Sequence, residues 1–312
     1  QFMELKELPD LILATDMLDF TTFLALTRSR TANIPTAIYF HENQLTYPWK
    51  QNENAEKEQR DYSFINYISA LAADSVFFNS EYHKQSFLTE LPNFLRQFPD
   101  YKELQNVKLI AAKSKVLPLG LDLKKFDDFK NIEKGKLPLI VWNHRWEYDK
   151  RPDEFFEAMY YLKGLGIHFE LAVLGKDYKR KPACFDEAKV KLKDEIIHFG
   201  YANSFEKYAT WLWKADILPV TSNQDFFGGS VVEAMYCDCF PILPKRLAYP
   251  EHIELSYQND YFYDGNRQLK ERLVRAIQNF DTLIHYNVDY KKKIVNYDWR
   301  IFAAKYDFIM KK

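Results

Sequence analysis

The segment Ser222-Asn223-Gln224-Asp225-Phe226-Phe227-Gly228-Gly229-Ser230-Val231-Val232-Glu233-Ala234 sets two carboxylates eight positions apart around a pair of glycines. A chain reversal at Gly228-Gly229 brings backbone N–H groups close to a ligand, and the helix that follows adds unpaired donors and the positive end of its dipole. That combination is a seat for a phosphate. Asp225 stands just before the reversal and Glu233 a turn or two into the helix, so both carboxylates can accept hydrogen bonds from sugar hydroxyls beside a bound anion. Phe227 and Ser230 flank the same turn. A capped surface helix with a tight entry is the alternative reading.

A second cluster, Trp142-Asn143-His144-Arg145-Trp146-Glu147-Tyr148-Asp149-Lys150, follows an apolar run. Arg145 and Lys150 lie five positions apart just before a helix, offering a planar fork and a point charge for a diphosphate and for the charge it gains on leaving. A solvated basic loop is the competing interpretation. A third strand end carries His41-Glu42-Asn43-Gln44, where the imidazole suits a sugar hydroxyl or a reacting centre and the next three residues add polar contacts. A structural histidine would satisfy the same pattern. Leu117-Pro118-Leu119-Gly120 ends a further strand, and Gly120 suits either a turn that directs amides toward a ligand or a plain β-turn.

Short apolar runs alternate with amphipathic segments, the pattern of parallel sheets covered by helices on both faces. Strands are expected at 11–14, 36–40, 75–79, 115–117, 139–143, 168–174, 196–199, 217–220 and 240–243. Helices are expected to include 62–72 and the segment around 155–162. The stretch 125–138 is polar, charged and aperiodic, which suggests two domains, 1–130 and 131–312. Ligands of such sheets bind at the carboxyl ends of the strands, here in a cleft between the domains.

The 312 residues suffice for two α/β cores, and an apolar share of 47% with a net charge of −1 argues against a strong overall field for a polyanion or a membrane. No run of eighteen apolar residues occurs, so no membrane partner is expected. Cys184, Cys237 and Cys239 match neither a disulfide framework nor a zinc site and read as reduced thiols of a cytoplasmic protein. No Asp-x-Asp pair stands at a strand end, so neither a metal nor another cofactor is implied. The basic runs Lys176–Lys181 and Lys291–Lys293 read as solvated faces.

Taken together, the glycine turn, the Arg145/Lys150 loop and the Gly120-Leu121-Asp122 exit resemble the retaining family-four glycosyltransferases of GT-B fold. More narrowly, His41 to Pro48, Trp142 to Lys150, and Phe226-Phe227-Gly228 with Tyr236 to Cys239 resemble the tRNA-queuosine mannosyltransferase family. The resemblance implies an α/β fold of two Rossmann-like domains with parallel sheets, the first lacking its N-terminal strand or strands and the last helix packing back on it. It implies metal-independent transfer of mannose from GDP-mannose, with a UDP-sugar as the other donor, to queuosine in tRNA. By residue, it gives Arg145 and Lys150 the diphosphate and His41 the sugar near the reacting carbon. Asp225, Phe227, Gly228, Gly229, Ser230, Glu233 and Gly120 go to the donor, and Glu42, Asn43 and Gln44 to the acceptor side. Asp225 stands where the family usually carries Glu. A lipid, polysaccharide or small-molecule acceptor, and a non-catalytic tRNA or nucleotide-sugar binding module, are the alternatives these residues leave open.

Overall fold

The computed structural model describes residues 2–48, 55–176, 181–254, 261–279 and 288–310. The chain forms two compact units, Gln1–Leu119 with Lys305–Lys312, and Gly120–Ala304. The stretch 125–138 lies in the second unit. Its polar composition hides one anchor, because Phe126 is buried against Phe205 and its carbonyl accepts the Trp213 indole N–H at 2.7 Å.

The first unit holds four parallel strands, β1 (Ile12–Thr15), β2 (Thr36–Phe40), β3 (Ser75–Phe78) and β4 (Ser114–Val116), in the order β1-β2-β3-β4. β2 reads Thr-Ala-Ile-Tyr-Phe and is buried along its whole length, as a strand covered on both faces must be. β1 alternates buried and exposed residues because it is an edge. The helix Glu81–Arg96 begins at Ser80, whose hydroxyl accepts the His83 N–H at 3.0 Å, and turns Phe87, Leu91, Phe94 and Leu95 inward. Within this unit Tyr306 donates its hydroxyl to the Pro118 carbonyl at 2.8 Å.

The second unit is a six-stranded parallel sheet of β5 (Leu139–Trp142), β6 (Glu170–Leu174), β7 (Ile196–Gly200), β8 (Ile217–Pro219), β9 (Phe240–Pro244) and β10 (Phe262–Tyr263). Its order is β10-β9-β8-β5-β6-β7. The chain runs outward from β5 through β6 to β7, then returns to β8 beside β5 and runs outward the other way. Loops leaving β5 and β8 therefore diverge, and a crevice opens where their carboxyl ends meet. The helix Pro152–Gly164 starts cleanly after β5, with Arg151 left-handed at its N-cap, Pro152 at its first position, and Asp153 and Glu154 in its first turn.

Candidate functional site

At the seam between β5 and β8 the two signature loops come together. Lys150, 6% exposed, donates from Nζ to the carboxylate of Asp225 at 3.0 Å and to the Gln224 carbonyl, and it lies 3.3 Å from Asp149. The second oxygen of Asp225 accepts the Tyr249 hydroxyl. Burial works to raise the Asp225 carboxyl, but the Lys150 ammonium, the His144 ring and the Tyr249 hydroxyl together hold it below its ordinary value, so it stays ionised. The loop between them is stitched in place: Asn223 N–H donates to the Asp149 carbonyl at 2.8 Å, and Arg246 donates to the carbonyls of Thr221 and Ser222.

Gly228 takes φ = +82° as the N-cap of the helix Gly229–Tyr236. A Cβ there would lie 3.0 Å from the Tyr249 ring in addition to the left-handed strain, so the position requires glycine. The amides of Val231 and Val232 close onto the Gly228 carbonyl, whereas those of Gly229 and Ser230 precede any intrahelical acceptor. One turn on, the Glu233 carboxylate accepts the Tyr208 hydroxyl at 2.7 Å. Burial pushes the Glu233 carboxyl up, and the Tyr208 hydrogen bond opposes that shift.

The end of β5 supplies the facing wall. Asn143 donates to the Ser230 carbonyl at 2.7 Å, and His144 Nδ1 lies 3.2 Å from the Ser230 hydroxyl. Burial brings the His144 imidazole down from 6.5 to about 4, with Asp225 opposing and Lys150 assisting, so the ring is neutral near pH 7. Arg145 points outward, its side chain half exposed beside Glu147 at 3.3 Å. Asn143, His144, Arg145 and Tyr208, with Gly175 and Tyr201 from the β6 and β7 ends, line an open pocket of about 590 Å³.

Some residues singled out from the sequence serve the scaffold in this structure. The Phe227 ring packs on His252 and Tyr297 at 5.1 and 5.2 Å, and its carbonyl accepts His252 Nε2–H at 2.6 Å. The Cβ position of Gly120 is taken by the Trp299 ring, 2.0 Å away, so glycine is required there for packing. In the first unit Asn43 is fully buried and spends its Oδ1 on the amide and hydroxyl of Thr46, while Gln44 accepts at its carbonyl from Ser63 and donates from its side chain to Glu42 at 2.9 Å. His41, half exposed, sits at the end of β2 with its Nδ1 3.5 Å from Asp16, and its carbonyl accepts from Asn79 at the end of β3. Tyr208, Tyr249 and His252, which no sequence motif marks, complete the site through the hydrogen bonds to Glu233, Asp225 and the Phe227 carbonyl. His144 precedes Arg145 in the same loop, and nothing in its sequence context singles it out.

Lys291 pairs with Asp238 and stacks near the rings of Trp213 and Tyr236, so part of the run 291–293 is engaged in its own unit. Residues 177–180 of the other basic run lie outside the described residues. Among the described residues no cluster of His, Cys, Asp or Glu is arranged to hold a metal ion, and no helix is long and apolar enough to cross a membrane.

His252, like His144, is buried, and burial lowers its imidazole from 6.5 to about 4. The unfolded chain takes up these protons near pH 6.5 and the folded chain only near pH 4. The associated stability is thus complete above 6.5 and falls as pH drops toward 4, by up to about 3 kcal/mol for each ring. Urea midpoints at pH 7 and pH 4.5 check this. His252→Gln keeps a donor for the Phe227 carbonyl without titrating, and its pH dependence is expected to be flatter than that of the parent.

Two α/β units with parallel sheets, the second with a switch-point crevice at a glycine-opened helix, define the GT-B architecture, and the chain belongs to the glycosyl transferases group 1, whose family model matches residues 124–288. Residues 1–121 match the model described as tRNA-queuosine alpha-mannosyltransferase N-terminal, and the chain is related to that family of glycosyltransferases. It is 34% identical over 246 residues to the tRNA-queuosine alpha-mannosyltransferase of Drosophila melanogaster, a match spanning 76% of this chain and 63% of that protein, less than two thirds of its length. Among solved structures it is similar in fold to a sucrose-phosphate synthase from Thermosynechococcus elongatus (TM-score 0.70, 14% identity, 97% of this chain and 73% of that one). It is likewise similar to a UDP-forming α,α-trehalose-phosphate synthase from Burkholderia xenovorans (TM-score 0.70, 14% identity, 100% of this chain and 76% of that one).

Proposed function

We propose that this chain transfers mannose from GDP-mannose to queuosine in tRNA, with retention at the sugar carbon and without a metal. The observation that carries the acceptor assignment is the match of residues 1–121 to the N-terminal model of the queuosine mannosyltransferases, since the group 1 match over 124–288 names no acceptor.

In this reading the pocket at the ends of β5, β6 and β7 takes the nucleoside, with Glu233 on the ribose. The Gly229 and Ser230 amides beyond the Gly228 reversal, with Arg145 and Lys150, take the diphosphate. Asp225, held ionised by Lys150, accepts from hydroxyls of the sugar. In the first unit His41 is assigned to the transferred sugar. Glu42 is assigned to the acceptor, on a loop that Asn43 and Gln44 hold in shape. Phe227 and Gly120 support the donor turn through packing. The bond from the sugar carbon to the diphosphate oxygen breaks as the acceptor oxygen bonds to that carbon on the same face, and the acceptor's proton passes to the departing oxygen. No protein nucleophile is needed, and the chain's contribution is the electrostatic support of the leaving group.

Transfer of radiolabelled mannose to queuosine-containing tRNA, set against the same tRNA lacking queuosine, tests the acceptor. Label only on the modified tRNA is expected. Equal labelling of both, or donor consumption without either, points to a different acceptor and overturns the assignment.

A further inference from the structure

The end of β5 leaves two buried polar atoms with no partner among the described residues, Nε2 of His144 and Oδ1 of Asn143. His144 is 4% exposed, and both residues are tied through their other polar atom to Ser230, the second residue of the glycine-opened helix. One tether runs from Asn143 Nδ2 to the Ser230 carbonyl and the other joins His144 Nδ1 to the Ser230 hydroxyl. Native interiors rarely tolerate an orphaned polar atom, and two on consecutive residues lining one pocket mark a place where a ligand completes the hydrogen bonding. The unsatisfied atoms are also complementary in type, since Oδ1 only accepts and the imidazole can present an N–H.

We propose that His144 binds the phosphate of the nucleotide donor through Nε2–H as a neutral hydrogen-bond donor, while Asn143 Oδ1 accepts from a hydroxyl of the same ligand. The Ser230 hydroxyl sets the tautomer: by donating to Nδ1 it leaves the proton on Nε2. The choice of a phosphate follows from the neighbourhood, because Ser230 also contributes one of the two open amides at the positive end of its helix, where an anion is favoured. This inference rests on the donor reading above and adds to it the residue that reads the phosphate without bringing charge.

Titration calorimetry with GDP, UDP and the matching nucleosides tests it on His144→Phe, which keeps the ring volume, and on His144→Gln, which keeps an N–H. His144→Phe is expected to weaken the diphosphate by roughly 10- to 100-fold, the worth of a hydrogen bond to a charged group, and to leave the nucleoside unchanged. His144→Gln should recover most of that loss. In the parent protein, 15N spectra of the ring should show the Nε2–H tautomer with GDP bound. Unchanged diphosphate affinity in His144→Phe, equal loss of nucleoside and diphosphate, or an Nδ1–H tautomer in the complex each overturns the role of His144 and leaves the donor reading standing. Failure of the parent protein to bind either diphosphate overturns both.

Discussion

Lys150→Ala is expected to lower sugar transfer by about 10²- to 10³-fold, the range for removal of one preorganised charge partner from an active site. Its effect differs from that of a surface lysine because the ammonium is buried among Asp225, Asp149 and the Gln224 carbonyl. Without it, burial is opposed only by the His144 ring and the Tyr249 hydroxyl and the Asp225 carboxyl rises, so any residual activity should shift toward alkaline pH. Breaking a buried pair by removing one partner also costs stability, on the order of 3 kcal/mol. The two effects separate in the double variant: adding Asp225→Asn removes one of the two orphaned charges, Asp149 being the other, and is expected to recover part of the urea midpoint but not the rate. Near-parental turnover in Lys150→Ala would remove Lys150 from the mechanism.

Gly120→Ala is expected to destabilise the fold through the packing of a single methyl. The added carbon would sit 2.0 Å from the Trp299 ring, which lies over the glycine while the Leu121 amide donates to the Tyr297 carbonyl at 2.8 Å and the Trp299 amide to the Leu121 carbonyl at 2.7 Å. Those backbone bonds fix both segments, so the ring has little room to withdraw. A loss of about 1–3 kcal/mol follows from overpacking of this kind. Thermal melts of Gly120→Ala, Trp299→Ala and the double variant form a cycle. The methyl should cost far less once the indole is gone, and an additive result would show that the contact is not the cause.

The strands were legible because β2, β5 and β9 are uninterrupted apolar runs, and their observed limits fall within a residue or so of those expected. β10 was not, since Phe262–Tyr263 is two residues long and takes its identity from pairing with β9 rather than from any local pattern. The candidate site shows the same division. Asp225, Gly228 and Lys150 were visible as types and spacings, but Lys150 was read with Arg145, its neighbour in sequence, whereas its partner in space is Asp225, 75 positions away. Only the strand order, which sets β8 beside β5, reveals that pairing. Asn43 and Gln44 carry a second, structural duty that the sequence does not display: Asn43 spends its Oδ1 on the turn at Thr46, and the Gln44 backbone is held by Asn66 and Ser63 of the adjoining helix. Tyr208, Tyr249 and His252 carry no local signal, because the groups each one meets are distant in sequence.

The reversal of winding between β5 and β8 has an evolutionary corollary. Both side chains that hydrogen-bond the Asp225 carboxylate, Lys150 and Tyr249, are borne on buried connections leaving β5 and β9, and neither belongs to a strand. With the sugar placed at Asp225 as proposed, exchange of a few amino acids in these connections is expected to retune which sugar is accepted while the apolar lamina beneath keeps its register.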